Sequence, residues 1–130
     1  MIEVFDTETD GPCVCNIFDL EATSFDFIDE NSLAVSDIEG NFTVLSNIRS
    51  PADLKLSIIK TKFPRIRQVK SHFTSEGSYQ FLVSISTDHK IAFWSCDRLL
   101  AHESDDLEEM KADKVVKSQH RLTCIGINDL

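Results

Sequence analysis

The chain has 130 residues, 42% of them apolar and 27% charged, near the average for globular proteins, which excludes a chain that is disordered or fibrous throughout. That length suits one domain and leaves no room for a second large one. The formal net charge of -9, from 13 basic and 22 acidic residues, argues against a grip on nucleic acid along the whole chain.

Apolar residues alternate with a period of two rather than 3.6, so the expected class is all-β. The chain opens with Met1-Ile2-Glu3-Val4-Phe5-Asp6, which has strand alternation and lacks the basic and then apolar layout of a signal peptide. With no run of about 18 apolar residues to cross a membrane, a soluble, intracellular protein is expected. A strand at 24–28 leads to the turn signal Asp29-Glu30-Asn31-Ser32, a strand at 33–36, the turn Asp37-Ile38-Glu39-Gly40-Asn41 and a strand at 42–45. The same order recurs as a strand at 66–73, the turn Thr74-Ser75-Glu76-Gly77-Ser78, a strand at 80–86, a tight turn at 87–90 and a strand at 91–94. The third members of these units align as Ile2-Glu3-Val4-Phe5-Asp6, Phe42-Thr43-Val44-Leu45-Ser46 and Ile91-Ala92-Phe93-Trp94-Ser95. Phe5 to Leu45 is 40 residues and Leu45 to Trp94 is 49, a near-regular spacing that marks repeats.

Charge is unevenly distributed. Residues 1–53 carry 12 acids and one base, whereas residues 54–102 carry 3 acids and 8 bases. Lys60, Lys62, Arg65, Arg67 and Lys70 cluster around Phe63-Pro64, which suits contact with RNA or an acidic partner and equally the wet face of an edge strand. The acidic run Glu103, Ser104, Asp105, Asp106, Leu107, Glu108, Glu109 reads as an insertion between strands. Ser104 is placed to cap a short helix with Leu107 and Met110 on one face, and the segment suits either a solvated loop or a docking site for a basic protein.

Cys13, Cys15, Cys96 and Cys124 show no disulfide framework, and the four histidines stand alone, so no metal or other cofactor is expected. Nucleophile elbows, phosphate loops and zinc-protease motifs are missing from the sequence, so the expectation is a protein that is not an enzyme and takes no small-molecule substrate.

The segment Ser86-Thr87-Asp88-His89-Lys90-Ile91-Ala92-Phe93-Trp94-Ser95 resembles the corner between the second and third strands of a WD-repeat propeller blade, usually S-x-D-G-x-I-x-x-W-D. Asp88 and Trp94 match, while His89 stands in place of the turn glycine and Ser95 in place of the final aspartate. The resemblance implies that Trp94, Asp88 and Ser84 or Ser86 form a structural hydrogen-bond network within a blade. Residues 65–67, 81–88, Trp94 and the ending Arg121-Leu122-Thr123-Cys124-Ile125-Gly126-Ile127 together resemble the C-terminal part of the WD-repeat family of maintenance-of-killer and p21-activated-kinase-interacting proteins. On that resemblance the chain is a partial propeller of about two and a half four-stranded antiparallel blades. Residues 1–19 end one blade, 20–63 form a second, 64–118 form a third with the acidic insertion 103–109, and 119–130 form a terminal strand. Met1 falls inside a third strand, so a longer product or a ring of several copies is expected. The implied role is a protein-binding scaffold in nuclear and nucleolar assembly of the large ribosomal subunit. The alternatives are a negative regulator of a p21-activated protein kinase and an RNA-contacting assembly module.

Overall fold

The computed structural model describes residues 2–4, 15–17, 21–103, 108–120, 122 and 124–126. Strands β1 (Ile2–Val4) and β2 (Cys15–Ile17) form an antiparallel pair. The strands β3 (Ala22–Asp29), β4 (Ser32–Asp37), β5 (Phe42–Ser46) and β6 (Lys55–Ile59) are hydrogen-bonded in chain order into one antiparallel sheet. A second sheet repeats that order with β7 (Ile66–Phe73), β8 (Tyr79–Ser86), β9 (Lys90–Ser95) and β10 (Lys114–Lys117). The protein is mostly β, as the period-two alternation leads one to expect, and it is built on two open four-stranded meanders rather than a closed sheet.

One departure from the sequence reading concerns the later part of the chain. A helix, α1 (Cys96–Ala101), follows β9 directly and buries Cys96 and Leu99. It is too short for a 3.6 period to register in the sequence. The helix expected to start at Ser104 lies outside the described residues through Leu107. Of 119–130, expected as a terminal strand, residues 121, 123 and 127–130 also lie outside the described residues.

Local chemistry explains the turns. Asp29 Oδ1 accepts the Asn31 N–H at 2.7 Å and closes the two-residue link between β3 and β4. Asp37 Oδ1 accepts the N–H groups of Glu39 and Asn41, both at 2.9 Å, in the turn into β5. Gly40 is required there twice over: its φ is +86°, and a Cβ would sit 1.9 Å from the Phe63 carbonyl oxygen. The link between the sheets runs through this close approach. Thr61 Oγ1 donates to the Gly40 carbonyl, and the Arg65 carbonyl accepts the Thr87 N–H at 3.0 Å.

The sheets pack face to face. Ile28, Ala34, Phe42, Val44 and Ile59 of the first meet Ile66, Val69, Leu82, Ala92 and Trp94 of the second, with Cys96 and Leu99 of α1 completing one core. Trp94 lies at its centre, edge-on to Phe42 at 5.0 Å and to Phe63 at 5.8 Å between ring centroids. The first strands of the two sheets lie beside each other. Ser24 Oγ on β3 accepts the Val69 N–H of β7 at 3.2 Å, and Asp26 Oδ2 accepts the Ser71 N–H at 2.8 Å and its hydroxyl at 3.1 Å. An edge strand's free N–H groups are thereby satisfied by side chains instead of by another strand.

Candidate functional site

Strand β8 alternates Leu82, Ser84 and Ser86 toward the shared core, and β9 brings Ala92 and Trp94 to the same side. The Trp94 indole N–H donates to Ser84 Oγ at 2.9 Å, and both residues are buried. Ser86 Oγ instead donates to Asp88 Oδ1 and to the Lys90 carbonyl, while Lys90 Nζ lies 3.4 Å from Asp88 Oδ2. Trp94, Ser84, Ser86 and Asp88 therefore make two separate pairs rather than one network, because alternate residues of β8 stand two positions apart along the strand. The second pair steadies the turn at His89, whose φ is +67°. Beside that turn a surface depression of about 590 Å³ is lined by Asp88, His89, Lys117, Ser118 and Gln119.

Of the five basic residues singled out in the sequence, three sit on the link between β6 and β7 and two within β7. Lys60, Lys62 and Arg65 are exposed on the link between β6 and β7. Arg67 lies within β7, with its Nε buried and without a hydrogen-bond partner. Lys70 pairs with Val83 in mid-strand, five residues beyond Arg65 and about 16 Å along an extended chain. None of the five makes an ion pair among the described residues.

In the acidic insertion, Glu103 is exposed and lies 3.5 Å from Lys55 Nζ, and Glu108 and Glu109 are exposed. Asp105 and Asp106 lie outside the described residues. The chain then returns to the core, where Met110 N–H donates to the Lys60 carbonyl at 2.8 Å and Met110 and Ala112 pack against the central cluster. That bond sets Glu109, at the end of the acidic run, beside Lys60, at the start of the basic one.

Sequence reasoning missed several pairings. Ser57 Oγ on β6 is hydrogen-bonded to His102 Nδ1 at 2.8 Å, and both residues are buried. This pins the first sheet to the segment after α1, and His102 Nε2 is left buried without a partner. With Ser57 only 3% exposed, its hydroxyl is closed to a substrate. Arg98 Nη1 meets Asp113 Oδ1 at 2.8 Å, and the other Asp113 oxygen accepts the Ser95 N–H at 2.7 Å. Burial on its own would raise the Asp113 pKa, but the Ser95 N–H and the Arg98 guanidinium together hold it below the usual carboxylate range. Burial, reinforced by Asp97, Asp29 and Asp26, pushes the Cys96 thiol up to about 12, which keeps it protonated and unreactive. The hydrogen-bonded and ion-paired partners of Ser57 and Asp113 are 15 to 45 residues away in the chain, and no local motif signals them.

Among the described residues no group of three or more His, Cys, Asp or Glu is placed to hold a metal, and no helix is long and apolar enough to cross a membrane. Comparison with protein-family models, with curated proteins and with solved structures gives no match to the chain.

Proposed function

We propose that the chain is a run of WD-type propeller blades, a partial propeller that serves as a non-catalytic scaffold for protein–protein contact. The observation that carries this reading is the repeated meander. Two four-stranded sheets with the same strand order pack through their faces, with their first strands side by side. Blades of a propeller are built and stacked in that way, each burying its face only against a neighbour. The buried Trp94–Ser84 bond at the corner that resembles a WD repeat adds to it. Assembly of the large ribosomal subunit, in the nucleus and nucleolus, is the process the family resemblance favours, with ribosomal proteins or assembly factors as partners.

Depletion of the protein tests the process. A deficit of large relative to small ribosomal subunits supports the assembly role, and an unchanged ratio overturns it. Direct binding to the regulatory segment of a p21-activated kinase alongside an unchanged ratio would move the scaffold to signalling. The border of Lys60, Lys62 and Arg65 favours a second reading, contact with RNA, since these exposed cations have no ion-pair partner among the described residues. RNA affinity that falls with added salt, and falls further in the triple Lys60→Glu, Lys62→Glu, Arg65→Glu variant, supports that reading. Unaltered capture of protein partners after Glu103, Glu108 and Glu109 are changed to Gln would remove the acidic insertion as a docking segment.

A further inference from the structure

The two sheets can be laid over each other through their third strands, with Leu45 on Trp94, and their fourth strands then align by register. Val44 pairs with Ser57 and Phe93 with Lys114, so Ser57, Ile58, Ile59 and Lys60 stand where Lys114, Val115, Val116 and Lys117 stand. These fourth strands are the outer edges, since the first strands lie beside each other. In the first sheet that edge meets another part of the chain at two of the four positions. Ser57 Oγ is hydrogen-bonded to His102, and the Lys60 carbonyl accepts the Met110 N–H. Lys55 adds an ion pair to Glu103. The sequence between His102 and Met110 is the acidic run.

β10 has no such cover among the described residues. All four of its residues are exposed, and neither Lys114 nor Lys117 makes an ion pair there. The Ser118 N–H donates to the His89 carbonyl in line with the β9–β10 register. By antiparallel alternation Lys114 and Val116 also turn their N–H and C=O groups to β9, and those of Val115 and Lys117 point outward. Lys114 and Val116 project to one face of the sheet, Val115 and Lys117 to the other.

We propose that β10 is a docking edge for an acidic extended segment of a partner protein, which joins the second sheet as a further antiparallel strand. Opposite Lys114 and Lys117 the partner carries acids, and opposite Val115 and Val116 apolar residues, so its centre reads acidic, apolar, apolar, acidic. The two lysines turn away neutral and basic strands. A second copy is disfavoured as well, because two β10 strands edge to edge gather four lysines in one short ladder. The inference rests on the scaffold reading and gives it a partner chemistry. Ribosome assembly plays no part in it, so its failure would leave the subunit-ratio result untouched.

The probe is the peptide acetyl-Thr-Glu-Ile-Val-Glu-Thr-amide, titrated to millimolar concentration into the isotopically labelled full chain and followed by amide NMR. Saturable shifts are expected at Val115 and Lys117, weakening with added salt. A peptide with lysine in place of both glutamates should bind about tenfold more weakly. The double variant Lys114→Glu, Lys117→Glu, changed only at exposed positions, should melt like the parent and reverse that preference. N-methylation of the first glutamate and the valine, the peptide amides that face β10, should abolish binding. The proposal is overturned by the absence of saturable shifts at β10, by equal binding of the acidic and basic peptides, by an unreversed preference in the double variant, or by undiminished binding of the methylated peptide. A parent chain that is dimeric by ultracentrifugation and monomeric in the double variant also overturns it, since the strand would then come from a second copy.

Discussion

The Trp94 indole N–H donates to the Ser84 hydroxyl at 2.9 Å, with both residues buried in the core. The bond joins neighbouring strands of the second sheet, while the ring itself fills the space against Phe42 of the first. A single side chain thus couples the inside of one sheet to the packing between two.

Trp94→Ala should destabilise the protein by about 3–5 kcal/mol, through lost burial and the cavity left behind. Trp94→Phe keeps most of the bulk but leaves Ser84 unpaired, for a loss of about 1–3 kcal/mol. Urea denaturation measures both, and an unchanged stability in Trp94→Phe would show that the indole N–H contributes nothing.

Gly40 and Gly77 share a φ of +86° but not their surroundings. Gly77→Ala meets no atom and should cost about 1–2 kcal/mol for the left-handed backbone alone. Gly40→Ala carries the same strain and also drives a Cβ into the Phe63 and Pro64 carbonyls, so its melting temperature should fall well below that of Gly77→Ala. Matching melting curves for the two would mean that the link between the sheets yields readily.

Asp26 is half-buried and accepts two hydrogen bonds from Ser71. Asp26→Ala leaves the Ser71 N–H facing the first sheet without an acceptor, and about 1–3 kcal/mol of stability should go with it. Ser24→Ala, which removes one longer bond, should cost less. Amide exchange at Ser71 should quicken selectively in the Asp26 variant, and unchanged exchange there would count against side-chain closure of the edge.

For Asp113 the folded-state pKa lies below its unfolded value, so its contribution is complete above the unfolded pKa and is lost as pH falls through the folded one. The melting temperature of the parent should therefore decline on acidification below the ordinary carboxylate range more steeply than that of Asp113→Asn. The side chain is 43% exposed, so solvent screening keeps the difference small, on the scale of a surface ion pair of about 0.2–1 kcal/mol. Parallel pH profiles would remove the Ser95 and Arg98 interactions as its cause.

Cys96 is buried with its thiol pKa raised, and Cys124 is exposed. Iodoacetamide at neutral pH should alkylate Cys124 and leave Cys96 unmodified until urea unfolds the protein. Mass spectrometry of the digested protein reads this directly, and native modification of Cys96 at the rate of Cys124 would contradict the packing of α1.

How much of this was legible in the sequence differs from place to place. Strand β7 runs over the 66–73 span that the alternation indicates, and the turns follow from Asp29, Asp37 and Gly77, because those features are local. Helix α1 was invisible because six residues do not complete two turns. Gly40 reads as a turn residue, but its second role depends on Phe63 and Pro64, which approach it only after the sheets have packed. The basic cluster is continuous in the linear chain, and the sequence does not mark that Arg67 and Lys70 belong to β7 while Lys60, Lys62 and Arg65 belong to the link before it. Ser57 and His102, 45 residues apart, carry no mark of their partnership until the fold brings them together.

The link from Lys60 to Arg65 is tied down along its length: Lys60 to Met110, Thr61 to Gly40, and Arg65 to Thr87. A strap held at three points has no slack to act as a hinge. The two sheets should therefore melt as one calorimetric event, with matched van't Hoff and calorimetric enthalpies, and a partner seated on either sheet would feel the stiffness of both.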